Sequence, residues 1–407
     1  MKTRLFLALT AALVALGFAA WPSQAAWAAL LSGGIAGLKA AAANGKAAPL
    51  RMVQVDLDYV YDPDAAQETH NLDALIARLR EMKINTVFLQ AFSDAAAAGV
   101  AKSVYFPNRF LPVRQDLFAR VARALKKQAG VAVYGWMPVL SFDFGRQIDR
   151  VEAWNPKTGK IAPDPKAYQR ISPFDAEGRK RIIGLYEDLA RAAPIDGILF
   201  HDDATMSDFE DASPAAMATY QKAGFPASIA EIRAHPRLMA RWIEFKTGLL
   251  TGFTEELAAD MRKIRPHLKT ARNIYARLLT EPKSEAWFAQ SYPEFLKAYD
   301  YTAVEAMPDM ENIPPAGQKK WLSKLVAVAA SMHDGLRKTI FELQSVDWRV
   351  KTAARAIPAK QFDGQVILLA DKGAMNFGYY PDDFVANVPN ARALHRVLSL
   401  PTPAYQP

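Results

Sequence analysis

Ile195-Asp-Gly-Ile-Leu-Phe-His-Asp-Asp203 joins an apolar run to two adjacent carboxylates. A short apolar run of this kind is typical of a strand buried on both faces, as in a parallel sheet. The two aspartates therefore come at the carboxyl end of the strand. In α/β barrels and open α/β sheets this end collects catalytic groups, because the following loop can vary without disturbing the core.

Similar runs recur along the chain and alternate with amphipathic stretches such as Asn71–Met82, Asp116–Lys127, Ala176–Ala193 and Leu238–Ile264. The predicted strands are Met52–Tyr59, Thr86–Ala91, Val131–Val139, Ile195–Phe200, Lys269–Tyr275, Tyr301–Met307, Lys338–Leu343 and Gln365–Ala370. No Gly/Ser-rich linker or charge block interrupts the series. This alternation predicts one α/β domain over residues 51–400, a (β/α)8 TIM-like barrel, rather than a doubly wound sheet.

The first residues have the layout of a secretory signal peptide. Lys2 and Arg4 precede an apolar run, and small residues follow up to Ala26. A membrane anchor is the alternative, but the run is short and rich in weakly hydrophobic alanine. We therefore expect a signal peptide over residues 1–26, a flexible Ala-rich leader over 27–50, and a periplasmic or secreted protein without stable membrane insertion.

Composition narrows the classes of function. The chain of 407 residues has no cysteine, which excludes disulfides, thiol catalysis, thiolate metal sites and lipid attachment through cysteine. The formal net charge is +8, but the positive residues are spread along the chain, as on an ordinary solvated surface. No nucleic-acid-binding module is recognisable, so we expect no nucleic acid partner.

Acidic residues lie at or just beyond the ends of five of the eight predicted strands. They are Asp56 and Asp58, Asp202 and Asp203, Glu305, Glu342, and Asp371, with Asp208, Glu210 and Asp211 in the loop beyond the fourth strand. The i, i+2 spacing predicts Asp56 and Asp58 on one face of a strand. Neighbouring Asp202 and Asp203 should point to opposite sides, and which one faces the cleft stays open.

Such a ring of acids suits glycoside hydrolysis, in which one carboxyl group protonates the leaving oxygen and another acts as nucleophile or base. Crowded carboxylates raise one another's pKa, so that one can stay protonated near neutral pH. Sugar rings also pack on flat aromatic faces. Trp136, Tyr168, Trp287 and Trp348 are candidates for that contact.

Metal binding is the main rival use of these acids. Asp56-Leu-Asp58 and His201-Asp202-Asp203 could each contribute to a divalent cation site. No second histidine lies at ligand spacing from His201, and no Gly-rich phosphate loop is present. We therefore expect neither a metal nor another cofactor.

Several longer motifs occur together and in order. They are Gln54-Val-Asp-Leu-Asp-Tyr-Val-Tyr-Asp-Pro63, Tyr105-Phe-Pro-Asn-Arg109, Leu111-Pro-Val-Arg114, Trp136-Met-Pro-Val-Leu140, Ile171-Ser-Pro-Phe-Asp175, Phe200-His-Asp-Asp-Ala204 and Ser207-Asp-Phe-Glu-Asp-Ala-Ser-Pro214. On these motifs the chain from about Arg51 to Asp383 resembles the C-terminal glycoside hydrolase domain of PgaB-type poly-β-1,6-N-acetyl-D-glucosamine processing proteins.

The resemblance implies a barrel that binds and cleaves partially de-N-acetylated poly-β-1,6-N-acetylglucosamine, a biofilm exopolysaccharide, without a metal. It implies an acidic cleft containing Asp202, Asp203, Asp208 and Glu210, which we predict as catalytic, and aromatic sugar contacts from Tyr168, Trp287 and Trp348. Asp56, Asp58, Trp136, His201, Glu305 and Glu342 complete the predicted substrate-binding set. The expected partners are a polysaccharide with glucosamine units and the exopolysaccharide export machinery.

One departure from the family pattern concerns the N-terminal half. PgaB-type proteins carry a metal-dependent deacetylase domain and often a lipid-attachment cysteine, and this sequence contains neither. We therefore expect no deacetylation, with a separate protein as deacetylase or a polymer already modified. Two alternatives remain at this stage: a non-catalytic barrel that holds the polymer during export, and a hydrolase for another amino-sugar polymer.

Overall fold

The computed structural model of the protein describes residues 48–94, 98–349 and 355–399. The predicted signal peptide, residues 1–26, and residues 27–47 of the predicted leader lie outside the described residues. From Leu50 onward the described residues form one compact unit.

A closed barrel of eight parallel strands forms the centre of the described residues, in the order β1-β8-β7-β6-β5-β4-β3-β2. The strands are β1 Arg51–Val55, β2 Thr86–Gln90, β3 Ala132–Met137, β4 Gly197–Phe200, β5 Lys269–Tyr275, β6 Tyr301–Glu305, β7 Thr339–Gln344 and β8 Asn376–Tyr380. Neighbours in sequence pair along the whole series, and β1 pairs with β8 to close it. The predicted (β/α)8 fold is confirmed.

A helix follows every barrel strand, as the fold requires. These helices are α1 Ala65–Met82, α2 Phe118–Ala124, α3 Ala176–Ala192, α4 Pro236–Ile264, α5 Tyr292–Ala298, α6 Pro315–Ala330, α7 Ala359–Asp371 and α8 Ala391–Leu398. A π-helical turn at Leu125–Ala129 extends α2, and shorter helices at Pro214–Lys222, Ile229–Ala234, Arg277–Thr280, Glu285–Phe288 and Gly335–Lys338 lie between the main elements.

The eighth strand was predicted in the wrong segment. Gln365–Ala370 lies within α7, and β8 begins at Asn376. The buried residues of α7 include Phe362, Val366 and Leu369, whose spacing is helical, and a short apolar run does not distinguish the two periods. Asp371 consequently ends a helix instead of a strand and belongs to no strand-end site.

The first strand is shorter than predicted. β1 ends at Val55, and Leu57–Tyr59 forms a 3-10 turn. The prediction that Asp56 and Asp58 share one face of a strand is therefore wrong, because the turn rotates the two carboxylates toward different partners.

Local sequence explains where the helices begin. The side chain of Asp64 accepts hydrogen bonds from the backbone N–H groups of Ala66 and Gln67 at the start of α1. Asp175 caps α3 in the same way through the N–H of Gly178. Such caps satisfy N–H groups that have no partner within the helix.

A glycine is required at the start of β4 for a packing reason. A Cβ on Gly197 would lie 2.3 Å from the ring of Tyr134 on β3. Because that ring fills the space beside the strand, any larger residue would displace it.

The segment between β4 and α4 has a small hydrophobic core of its own. Tyr220, Phe225, Ile232 and Trp242 are buried together there. Ala212, at the end of the loop after β4, belongs to the same cluster, which therefore packs against that loop.

The beginning and the end of the described barrel sequence are in contact. Arg51, the first residue of β1, donates from Nε to the carbonyl oxygen of Leu398, the last residue of α8, at 3.1 Å. Within the described residues no helix has both the length and the apolar composition needed to cross a membrane.

Candidate active site

Four acids gather at the carboxyl end of the barrel, and we call them the floor acids: Asp56, Asp202, Glu305 and Glu342. Asp56 follows β1 directly, Asp202 comes two residues after β4, Glu305 ends β6, and Glu342 lies within β7. Because all eight strands are parallel, these carboxyl ends open on one face. Asp202, Glu305 and Glu342 are at most 8% exposed.

Asp202 is surrounded by hydrogen-bond donors. His201 Nδ1 lies 2.9 Å from its Oδ1, Tyr275 donates its hydroxyl to Oδ2 at 2.7 Å, and Tyr168 donates to Oδ1 at 3.1 Å. Burial alone would raise the pKa of Asp202, but the His201 charge and these hydrogen bonds hold it below the ordinary value. Burial would likewise lower the pKa of His201, and Asp202 holds it well above its usual range. The two form an ion pair.

Glu305 has the opposite electrostatic environment. Burial raises its pKa well above the ordinary value, and the negative charges of Asp202 and Glu342 raise it further. Both effects favour the protonated form of Glu305. The surroundings in the barrel mouth therefore favour a neutral acid at Glu305 and an ionised carboxylate at Asp202.

Glu342 and Asp56 are also shifted upward. Burial raises the pKa of Glu342 to about 8, against an opposing hydrogen bond from Asn273, whose amide donates to Oε2 at 2.9 Å. Burial and the charge of Asp58 raise the pKa of Asp56 to about 7. Near neutral pH Glu342 is therefore mostly protonated, whereas Asp56 is present in both its protonated and its ionised form.

Asp203 lies beyond the end of β4, in the same turn as Asp202, and its Oδ1 is 3.7 Å from His201 Nδ1. Its fully buried carboxylate accepts three backbone hydrogen bonds, from Val139 at 2.9 Å and from Leu140 and Ser141 at 2.7 Å each. This contact ties the end of β4 to the loop after β3.

Asp58 also has protein partners. It accepts hydrogen bonds from Ser93 at 2.8 Å and Tyr105 at 2.5 Å, and it pairs with Arg114 at 2.7 Å. The carboxylate thereby joins the turn after β1 to the loop after β2, and it does not share the partners of Asp56.

Two further predicted acids, Asp208 and Glu210, lie in the loop after β4, and we call them the loop acids. Asp208 forms an ion pair with Arg233, and Glu210 pairs with Arg170 at 2.7 Å. Burial would raise the pKa of Glu210, but Arg170 and the Ser207 N–H hold it below the ordinary value. The structure therefore brings these acids together with arginines, and not with Asp202.

Aromatic side chains connect the floor to the rim. The ring of Trp136 lies 5.4 Å from that of His201 and 5.6 Å from that of Tyr380. Tyr380 in turn stacks on Trp348 at 6.0 Å and donates its hydroxyl to Asp56 at 3.4 Å. Trp348 is 38% exposed, which is unusual for so large an apolar side chain and leaves one face open for a ligand.

A cleft of about 510 Å³ opens beside the two tyrosines that donate hydrogen bonds to Asp202. Tyr168, Tyr275, Glu210 and Trp287 are among its lining residues. Trp287 is 43% exposed. Tyr168 and Tyr275 belong both to this cleft and to the hydrogen-bond shell of Asp202, so the cleft leads to that carboxylate.

Some buried polar atoms at the floor are unused by the protein. Within the described ranges, Glu342 Oε1, Asn273 Oδ1 and Trp136 Nε1 have no hydrogen-bond partner. Buried polar groups of this kind normally find partners. Separately, no three His, Asp or Glu side chains in the same ranges come together in an arrangement that could hold a metal ion.

Sequence reasoning missed Tyr275 and Arg170. Tyr275 is the last residue of β5, so the strand-end rule that selected the acids also points to it, but only acids were sought there. Arg170 lies in a loop 40 residues before Glu210, and no local pattern in the sequence indicates that pairing.

The family model described as hypothetical glycosyl hydrolase family 13 matches residues 54–380, a span that includes every floor acid and loop acid. The chain belongs to this family. It is a glycoside hydrolase family domain related to PgaB, and the resemblance inferred from the motifs is confirmed.

Among solved structures, the PgaB (BpsB) glycoside hydrolase domain from Bordetella bronchiseptica is 46% identical, with a TM-score of 0.81, over 86% of this chain and 99% of that domain. The β-galactosidase from Rahnella sp. R3, with 12% identity, a TM-score of 0.58, and coverage of 87% of this chain and 56% of that one, shares the fold alone.

A protein of Escherichia coli K12 named poly-β-1,6-N-acetyl-D-glucosamine N-deacetylase is 46% identical over 342 residues, which are 84% of this chain and 51% of that protein. The chain thus spans about half the length of this relative.

Proposed function

We propose that this barrel is an endo-acting glycosidase that cleaves partially de-N-acetylated poly-β-1,6-N-acetyl-D-glucosamine by carboxylate acid/base chemistry. The observation that carries the proposal is the contrast within the floor acids: surrounding donors favour an ionised Asp202, and burial favours a protonated Glu305. Glycoside hydrolysis requires this pair of states. The relationship to PgaB supports the choice of polymer.

In the proposed reaction Glu305 donates its proton to the glycosidic oxygen as the bond to the anomeric carbon breaks. Asp202 stabilises the positive charge that develops on that carbon and directs either its own oxygen or a water molecule to it. Tyr275 and Tyr168 hold Asp202 in place for this step. The predicted catalytic residues Asp203, Asp208 and Glu210 then shape the cleft without transferring protons.

The acids also suit the charge of the substrate. De-N-acetylated units carry an ammonium group, which can donate charge-assisted hydrogen bonds to the carboxyl oxygens of the floor acids even on a protein of positive net charge. The exposed rings of Trp348 and Trp287, with Tyr168, offer flat faces to the C–H side of the sugars. Asp56, Asp58, Trp136, His201 and Glu342 remain our predicted substrate-binding residues around this path.

The proposal extends to the cellular setting. We expect the protein to act in the periplasm or outside the cell, next to the exopolysaccharide export machinery. Deacetylation is the activity named for the Escherichia coli relative, of which this chain spans only about half.

The test is mass spectrometry of products after incubation with partially deacetylated and with fully acetylated polymer, each with and without a chelator. Oligomers from the deacetylated polymer alone, undiminished by the chelator, are the expected result. If the protein bound the polymer but released no products, the proposed enzyme would be wrong and a non-catalytic polysaccharide-binding barrel would be favoured. If the chelator abolished activity and a divalent cation restored it, the result would instead support the alternative that these acids bind a metal ion.

A further inference from the structure

Lys246 is a buried cation that the proposed chemistry does not use. It lies on α4, is fully buried, and its Nζ sits 3.6 Å from the centre of the Trp242 ring. Within the described residues no carboxylate comes within ion-pair distance of it, since Asp208 and Glu210 pair with Arg233 and Arg170. Burying an ammonium group is costly, but its hydrogen bonds to the loop after β4 are contacts that an apolar residue could not make.

The contacts of Lys246 converge on one turn. Its Nζ donates to the carbonyl oxygens of Ser207 and Glu210, at 2.6 Å each. Two of its three N–H groups are thus satisfied, and the third faces the Trp242 ring. We call the turn Ser207–Glu210 the clamped turn. Lys246 donates a hydrogen bond to each end of it, and hydrogen bonds from a charged donor are stronger than those from a neutral one.

The clamped turn forms part of the cleft wall. Ser207 and Glu210 line the cleft together with Tyr168 and Trp287. Inside the turn, the Ser207 N–H donates to Glu210 Oε2 at 2.8 Å. On the cleft side Arg170 donates to Glu210 Oε1 at 2.7 Å. The turn is therefore held between Arg170 on the cleft side and Lys246 on the helix side.

We propose that Lys246 is a positioning residue for the cleft: it fixes the clamped turn in the conformation that binds polymer. Lys246 reaches only backbone oxygens and the Trp242 ring, so it acts through the turn and not on the substrate. The expected effect on polymer binding rests on the function proposed above. The stabilisation of the turn by Lys246 does not depend on that function.

The charges around Lys246 give the pH range. Burial lowers its pKa to about 7, against the opposing charges of Glu210, Asp208 and Asp211 in the loop, while Arg233 on the helix Ile229–Ala234 lowers it further. Above about pH 7 the neutral amine keeps two N–H groups but donates more weakly. Protection of the turn and affinity for polymer should both fall in that range.

The experiment compares Lys246→Met, which keeps the length and the contact with Trp242, with a matched control. Lys338 also donates to two backbone carbonyls, those of Leu296 and Tyr299, but it lies just before β7, at the opposite end of the barrel. Lys338→Met therefore removes the same kind of double contact far from the cleft. Backbone hydrogen exchange over residues 207–212 and the kinetics of polymer cleavage are measured for both.

For Lys246→Met, which removes both charged hydrogen bonds, we expect at least about tenfold faster exchange in the turn and at least about tenfold higher KM. The kcat should stay near that of the wild type, because Asp202 and Glu305 are untouched. Wild-type KM should rise above about pH 7, and this rise should be absent in the variant. Lys338→Met should change neither quantity.

A folded Lys246→Met protein with wild-type exchange in the turn overturns the proposal, and so does an equal change in Lys338→Met. If wild-type protein cleaves no polymer, the proposed function fails, but exchange still decides whether Lys246 holds the turn. If Lys246→Met does not fold, wild-type exchange is followed between about pH 6 and 8 and corrected for the intrinsic rate. Constant protection of the turn over that range then overturns the proposal.

Discussion

The floor acids and the loop acids lie in the same acidic mouth but have opposite kinds of partner. Asp202 is held by two tyrosine hydroxyls and an imidazole, and Glu305 by burial. Asp208 and Glu210 are held by arginines. The cation beside each loop acid is a permanently charged arginine, whereas the cation beside Asp202 is a histidine, which can itself gain or lose a proton. The clustering of Asp and Glu residues in the sequence therefore indicates less about catalysis than the hydrogen-bond and ion-pair partners of each carboxyl group.

The largest expected effect separates the two groups directly. Asp202→Asn should lower kcat by about 10³-fold, because the amide can neither attack nor accept a proton. Folding should be retained, since the amide oxygen still accepts from Tyr275. Glu210→Gln should change kcat much less but lower the free energy of unfolding by about 3–5 kcal/mol, because Arg170 is left buried without its carboxylate. Equal losses of kcat in the two variants would erase the distinction.

The second prediction concerns the proton donor. Glu305→Gln should lower kcat by about 10²-fold, since general acid catalysis contributes on that scale. In the wild type, kcat should fall as the pH rises through the raised pKa of Glu305, and this alkaline limb should be missing in the variant. Measuring kcat against pH for both proteins checks it. A limb that persists unchanged in the variant assigns the proton to another group.

The contribution to the free energy of unfolding should change with pH in opposite directions for Glu342, a floor acid, and Glu210, a loop acid. Burial raises the pKa of Glu342 from 4.5 to about 8, so its stabilising effect is complete below about pH 4.5 and is lost as the pH rises toward 8. Glu342→Gln should remove a decline of about 2 kcal/mol between about pH 5 and 7, measured by denaturant unfolding.

Glu210 is the control for that measurement. Its pKa is lowered, so its contribution is present above the ordinary value of 4.5 and is lost as the pH falls. Glu210→Gln should flatten the acidic side of the stability curve and leave the neutral side parallel to the wild type. The same slope change in both variants would contradict the assigned protonation states.

The smallest predicted effect lies at the rim. Trp348→Ala should raise the Kd for polymer by about tenfold, the scale of one lost aromatic contact, with little change in kcat. Calorimetric titration of the Asp202→Asn protein, with and without the second substitution, measures binding free of cleavage. Unchanged affinity would show that the exposed face of Trp348 does not contact the polymer.

Much of the barrel could be predicted from the sequence because strands buried on both faces leave apolar runs. Seven predicted strands overlap observed ones, and four floor acids follow from the strand-end rule. The eighth strand failed because the apolar run at 365–370 fits a helix equally well. Because of this error only Asp371 was wrongly placed at a strand end. The other acids were assigned from other strands.

The partners of the acids could not be predicted, because they come from distant parts of the chain. Asp203 accepts hydrogen bonds from backbone groups more than 60 residues earlier, and Tyr275 lies 73 residues beyond Asp202. Protonation states follow from these contacts and from burial. Residue identity alone made Asp202, Asp203, Asp208 and Glu210 look equivalent, and only the fold distinguishes them.

The contact between Arg51 and the carbonyl of Leu398 has a practical consequence for protein engineering. It holds the first strand and the last helix together at the end of the barrel opposite the acids. A reporter or immobilisation tag joined directly before Ala48 or after Ser399 is therefore attached behind the barrel. Two such modules could be carried at once, side by side, with the mouth left facing a polymer-coated surface.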